Sequence, residues 1–437
     1  MSIWQGHDLG SRSKPLELEP QNRHKIIALL NKGAKIPNPM TLYLDNDVQV
    51  DQISGDGVTL YPGCRIYGSR TVISRGSEIG FEGPVTLEDC QVGPRVELKG
   101  GYFKKSVFLE KANMGLGAHV REGTILEEQS GGAHCVGLKQ TILFPFATLG
   151  SLINFCDCLL SGGTSRKDHS EVGSSYIHFN FSAAGDKTTP SLFGDVPRGV
   201  MLNEPPIFLG GQGGAVGPLR VGFGNVVSAG TILRKDVLNE RRLIMEKAHR
   251  GGEAPLAFNR YSGLNRMLEK NVYYLAGLVA LEQWYRHVRR DFFNREELGY
   301  LVYNGALDNL RLARGERSKR LKAVAEKMPE SIHHDQSDRV KNRNFKFYQN
   351  VDEVCRVFED DQNVKSIHKY GELFLEALET QKKDQDSDYI AFIQGLPEVV
   401  STKGTKWLQA IVDDRCQKVA DLLPAMNLFG HRNKGEC

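Results

Sequence analysis

The sequence predicts a mainly β protein, a parallel β-helix followed by an α-helical final third. Three observations predict it. Apolar residues recur at six-residue steps through the first half of the chain, turn residues fall in phase between those steps, and from about Leu256 the spacing becomes helical.

Residues 1–44 read as a lead-in with one helix, Asn22 to Lys32, ended by Gly33 and the Pro37/Pro39 pair. The opening MSIWQGHDLGSRSKPLELEP has no apolar h-region, so no signal peptide is expected. No stretch approaches the roughly 20 apolar residues of a membrane helix. The eight cysteines form no CxxC pair, which suits reduced thiols and a cytoplasmic location. The formal net charge is only +3, with acidic and basic residues intermixed, and no nucleic-acid partner is expected.

Residues 45–240 carry the repeat. Leu60, Ile66 and Val72 are six apart, and after a one-residue slip the ladder resumes at Ile73, Ile79 and Val85. It returns as Val92 and Leu98, as Phe108, Met114, Val120 and Leu126, and last as Val221, Val227 and Leu233. A period of six fits neither an amphipathic helix nor a lone strand. It suits a short flat strand, a turn and a repeat, with three sides closing one coil. Pro62-Gly63, Gly76-Ser77, Gly93-Pro94 and Ala229-Gly230 then stand at corners, where a bulky side chain would clash. His119 and His134 fall on these coils and read as surface residues.

Between Gly150 and Pro218 the hexads break down, and inserted loops in repeat proteins often form binding faces. Arg166, Lys167, Asp168, His169, Glu171, His178, Asn180, Asp186, Lys187, Asp195 and Arg198 all fall in this stretch. Cys156 and Cys158 flank Asp157 and are expected on one face of a strand. Two thiols alone make no tetrahedral zinc site, and the spacing of a three-histidine site is missing, so no metal is expected.

The segment from about Asp45 to Val237 resembles the hexapeptide-repeat acyltransferases, and VGFGNVVSAGTILRKDV is very close to that family's terminal coil. The resemblance implies a left-handed β-helix and a homotrimer. EVGSSYIHFNFSAAGDKTTPSLFGDV is most similar to the acetyltransferase domain of the bifunctional enzyme that makes UDP-N-acetylglucosamine. Asn180 matches a loop asparagine, Phe181 replaces a tyrosine, Lys187 stands near a sugar-phosphate lysine, and Gly194-Asp195 match a closing pair. The resemblance implies acetyl-CoA as co-substrate beside Ser228, Ala229 and Arg234. It also implies a sugar phosphate or nucleotide sugar as acceptor near Asn180, Asp186, Lys187 and Arg166.

One part of the pattern is missing. The family's base is a histidine after a Gly-Ser, and here Gly150-Ser151 is followed by Leu152-Ile153-Asn154-Phe155. Deprotonating an amine requires a group that titrates near neutrality. The candidates are His169, which alternatively is an exposed loop histidine, and His178, which alternatively is a hydrogen-bonded structural one. Asn180 alternatively is only a turn residue. A Gly-rich nucleotide loop is not found ahead of the coils, so pyrophosphorylase activity is not expected. The expected function is acetyl transfer to an amino-sugar phosphate or nucleotide sugar. The alternative is a non-catalytic sugar-nucleotide-binding or scaffolding β-helix.

Residues 256–437 read as helices at Ser262–Phe293, Leu298–Met328, Ile367–Thr380, Ser387–Gly395 and Lys406–Leu423, with a polar break at Glu330–Asn344. Tyr273, Tyr274, Trp284, Tyr285, Phe292 and Phe293 are expected in the core. The region is expected to cap the open end of the β-helix.

Overall fold

The structure, a computed structural model, describes residues 22–180, 185–245, 251–253, 261, 263–334, 337–359, 368–381 and 387–430. Phe181 lies outside them. Each hexad makes a strand of two to four residues, and each strand pairs in parallel with the strand one coil away, as Thr59 does with Glu78 and Glu78 with Glu97. The coils stack into three sheets of ten, eight and ten strands. The result is a parallel β-solenoid with a helical C-terminal part, matching the left-handed β-helix that the resemblance implies. In chain order the first face starts at Thr59–Leu60, the second at Arg65–Tyr67 and the third at Val72–Ile73; Tyr43–Leu44 adds a further strand to the second face.

Strand alternation sorts the side chains. On the first face Glu78 and Glu97 point out while Ile79 and Leu98 fill the interior. Every hexad residue named above is buried. The slip at Val72–Ile73 has a physical reason. Ile73 enters the coil interior, whereas Val72 points outward into a second core shared with the helices.

That outward core corrects the expected position of the helical part. The third face is apolar on both sides over most coils, with Val72, Val107, Ile125, Ile142, Leu159 and Leu192 facing out and Gln91 and Arg220 as polar exceptions in the same column. Helices α3 (Leu264–Trp284) and α5 (Gly299–Ala325) lie against this flank instead of closing an end. The N-terminal opening is closed by α1 (Arg23–Lys32), which inserts Ile26 and Leu29 into the coil core. Lys25 Nζ donates to the carbonyls of Asp45, Asn46 and Val48, and Lys32 Nζ to those of Val50 and Ile53. These bonds satisfy backbone oxygens that the first coil would leave unpaired.

The other helices are α2 (Val196–Gly199), α4 (Arg290–Phe293), α6 (Met328–His334), α7 (Asp338–Arg356), α8 (His368–Glu379), α9 (Tyr389–Gln394) and α10 (Glu398–Leu422). A π-helical turn, Tyr285–Arg289, joins α3 to α4. The polar break expected at Glu330–Asn344 is instead crossed by α6 and α7. Phe347, Val351 and Val354 give α7 a buried stripe that its many charged residues hide in the sequence. Helix α10 starts at Glu398 rather than Lys406, and Gly404 sits where a Cβ would come within 2.8 Å of the Phe374 ring. Tyr273, Tyr274, Trp284 and Tyr285 are buried in the shared core, with Phe292 and Phe293 half-buried beside it.

Buried charges fix where the helices dock. Arg317 on α5 reaches Asp157 at 2.8 Å, both nearly sealed from water. Arg289 stands 3.3 Å from Glu127 and also pairs with Glu128, while Tyr285 Oη donates to Glu127 at 2.6 Å. Burial, with Glu128 alongside, pushes the Glu127 carboxyl up to about 7 against the pull of Arg289. Such pairs add little net stability against apolar substitutes, but breaking one partner is costly.

Candidate functional site

The irregular stretch separates into insertions at two corners. Between the third and first faces an antiparallel hairpin, Gly163–Ser165 with Asp168–His169, leaves the coil. Gln394 on α9 holds its base by donating to Thr164 O at 2.6 Å. At its tip Arg166 folds back, and Nη1 donates to Gln129 O (2.9 Å), Phe146 O (3.2 Å) and Thr148 Oγ1 (2.8 Å). His169 Nε2 is 3.8 Å from Glu171 Oε2, and Glu171 pairs in register with Thr148. Arg166 and His169 therefore meet over one patch of the first face. The buried Nδ1 of His169 has no hydrogen-bond partner among the described residues.

His178 lies elsewhere. Its side chain points into the coil and is 2% exposed, between the Phe155 and Phe193 rings. Nδ1 donates to Asn180 Oδ1 at 2.9 Å, since an amide oxygen only accepts, and Nε2 then accepts from Ser191 Oγ at 2.8 Å. Burial pushes its pKa down to about 4, so it is neutral at pH 7 with both nitrogens committed. This is the geometry of a structural histidine.

Asn180, Asp186 and Lys187 follow at the corner between the second and third faces. Asp186 Oδ1 accepts from Thr188 N at 3.1 Å and Thr188 Oγ1 at 2.7 Å. Lys187 is exposed with φ 56°, and its carbonyl accepts from Arg317 Nη1 at 3.3 Å. Asp195 caps α2 and pairs with Arg198, while a Cβ at Gly194 would strike Ser161 Oγ. Within one chain the predicted residues thus split: Arg166 and His169 on one side of the coil, Asn180, Asp186 and Lys187 on another. Cys156 and Cys158 are also divided. Asp157, with φ 59°, is a corner, so Cys156 ends a second-face strand and Cys158 begins a third-face one.

The corner between the first and second faces carries the feature that the sequence reading passed over. Leu116, His134, Ser151, Ser174, Gly211 and Ala229 stack there, one per coil, linked by backbone bonds such as Leu152 N to His134 O and Ser175 N to Ser151 O. His134 is exposed, and its Nδ1 is 2.8 Å from Ser151 Oγ. Nε2 is left without a protein partner among the described residues. Ser151 belongs to the Gly-Ser after which the family's histidine would stand. Register could have found this, because Gly132 pairs with Leu149, which sets His134 beside Ser151 two residues on. His134 borders a cleft of about 340 Å³ whose other polar walls are Glu82, Lys99, Asn113, Thr148 and Arg166. Above it one column of the edge is glycine, Gly150, Gly173 and Gly210, leading up to Ser228 and Ala229, with the exposed Leu152 and Gln212 beside it. Ser228 Oγ bonds Thr231 Oγ1 at 2.9 Å, and Arg234 is exposed on the next strand's end.

No family model matches the chain. Among curated proteins it is similar to "Bifunctional protein GlmU" of Thermotoga petrophila, 28% identical over 231 residues, covering 52% of this chain and 46% of that protein. The proteins of the same name from Corynebacterium jeikeium and Paenarthrobacter aurescens are 27% and 25% identical, over 49% and 59% of this chain and 39% and 47% of their own lengths. The chain spans less than half the length of these relatives.

Proposed function

We propose that the protein is a hexapeptide-repeat acyltransferase that moves the acetyl group of acetyl-CoA to an amino group on a sugar phosphate or nucleotide sugar. The observation that carries this is the His134–Ser151 pair, which sets an exposed imidazole one coil away from the Gly-Ser after which the family's histidine would stand. Ser151 fixes the imidazole through Nδ1 and leaves Nε2 to take the proton of the attacking amine. Lys99 and Arg166 line the same cleft and suit the acceptor's phosphate. The edge from Gly173 to Ala229 lets a thin thioester arm approach the backbone, with Arg234 near its far end.

His169 is the second candidate base, through its contact with Glu171. We place Asn180, Asp186 and Lys187 in a neighbouring subunit's contribution to the site, as a homotrimer would supply them. Phe208, Val226 and Leu243 form an outward apolar ladder on the first face, with Met245 beyond it 70% exposed, a surface suited to a second copy. Among the described residues no helix is long and apolar enough to cross a membrane. The free thiols of Cys64, Cys90 and Cys158 suit a cytoplasmic enzyme.

The burial of His178 and the missing histidine between Gly150 and Phe155 favour a second reading, a sugar-nucleotide-binding protein without chemistry. Calorimetry with acetyl-CoA, followed by labelled acetyl transfer to a panel of amino-sugar phosphates, separates the two. Binding with turnover supports the transferase. Sugar-nucleotide binding with neither CoA binding nor turnover would sink it.

A further inference from the structure

Where the helices meet the coils there is a second cavity, of about 400 Å³, whose lining shares no residue with the His134 cleft. Small-molecule sites commonly occupy about 300–1,000 Å³ and favour junctions between structural units. One wall is the corner between the third and first faces. Earlier coils use glycine at this corner, Gly57 with φ 66° and Gly76 with φ 69°. The next two coils place Arg95 (φ 55°) and Lys111 (φ 58°) there, holding long cationic side chains in a conformation that costs a non-glycine residue roughly 1–2 kcal/mol. The opposite wall comes from the π-helical turn and α4, and π-turns often accompany functional sites.

The lining carries five cations, Arg75, Arg95, Lys111, Arg289 and Arg295, against four carboxylates, Glu110, Glu128, Glu296 and Asp388, and so keeps one positive charge in excess. Arg95 and Lys111 share one carboxylate, Glu110, with Lys111 Nζ 3.3 Å away. Arg75 is matched bidentately by Glu296 at 2.8 and 2.9 Å. Among the described residues Arg295 donates to a carbonyl, Ser387 O at 2.7 Å, and its guanidinium lies 4.5 Å from the Phe292 ring centre. Tyr389 and Phe293 complete an aromatic floor beneath Arg289. Surplus cation at the mouth calls for a phosphate, and the stacked guanidinium and rings call for a flat group behind it.

We propose that this cavity binds a small phosphate carrying a planar ring, of the mononucleotide class, and so clamps the helical part onto the coils. The test is calorimetry on the full chain with AMP, GMP, CMP and UMP, beside ribose 5-phosphate and inorganic phosphate. Lys111→Asn tolerates the left-handed backbone and removes a cation, and Arg295→Gln removes the stacked one. At least one nucleotide should bind saturably, and each variant should weaken it roughly tenfold, the loss of one charge-assisted contact, while melting as the unaltered protein does. Ribose 5-phosphate should bind clearly more weakly than the nucleotide. The proposal is overturned if no nucleotide binds at millimolar concentration, or if inorganic phosphate binds as well as the nucleotides. It is equally overturned if the two variants bind normally while His134→Ala abolishes binding, which would move the nucleotide to the other cleft.

Discussion

The third and first faces of the β-helix use the same six-residue repeat and end in opposite surroundings. On the third face the outward residues are Val72, Val107, Ile125 and Ile142, buried under α3 and α5. On the first face the corresponding positions are Glu78 and Glu97, which are exposed, and Asn113, Gly131 and Thr148, which line a cleft. The inward residues fix the solenoid in both. The outward ones decide whether a face is covered by protein or left for a ligand.

The largest effect that would break this contrast is a charge placed under the helices. Ile125→Asp should cost about 3–5 kcal/mol, because the carboxylate has neither water nor a partner, whereas Glu97→Gln on the first face should stay within about 0.5 kcal/mol. Denaturant melts of both variants read this, and equal effects would erase the distinction. Arg317→Met should cost a similar 3–5 kcal/mol by stranding Asp157, and adding Asp157→Asn should recover more than half of it. A double variant no better than the single one would mean that the pair does more than neutralise itself.

A pH titration of stability sharpens the interior side. His178 has a folded pKa near 4, below the unfolded value of about 6.5, so the unfolded chain takes up a proton first as pH falls. Its contribution is intact above pH 6.5 and is lost between 6.5 and 4, on the order of 2–3 kcal/mol. His178→Gln should flatten that part of the profile; an unchanged slope would place the titration elsewhere. The smallest expected effect is that of Arg166→Ala. Its guanidinium is exposed, so stability should fall by no more than about 1 kcal/mol, while the KM for a phosphate-bearing acceptor rises more than kcat falls.

Much of the scaffold was legible in the sequence, because period six fixes which side chains enter the coil. The slip at Val72–Ile73 was visible, but its cause was not, since a second core outside the coil leaves no period of its own. Exposed strand edges demand cover, which points to an end cap, but α1 supplies it at the N-terminal end and the apolar third face draws the C-terminal helices to the flank. His134 looked like surface because hexads show which residues point out, not which ones stack on a neighbour one coil away. His178 looked reactive because strand alternation puts it beside Asn180, yet alternation alone does not tell inside from outside at an interrupted coil.

The most direct measurement compares acetyl transfer by the unaltered protein and by His134→Gln, at saturating acetyl-CoA and with the acceptor that turns over fastest. If His134 is the base, kcat/KM should fall by about 10²–10⁴ with CoA affinity and melting temperature unchanged. Full turnover by His134→Gln would contradict the assignment and pass the role of base to His169.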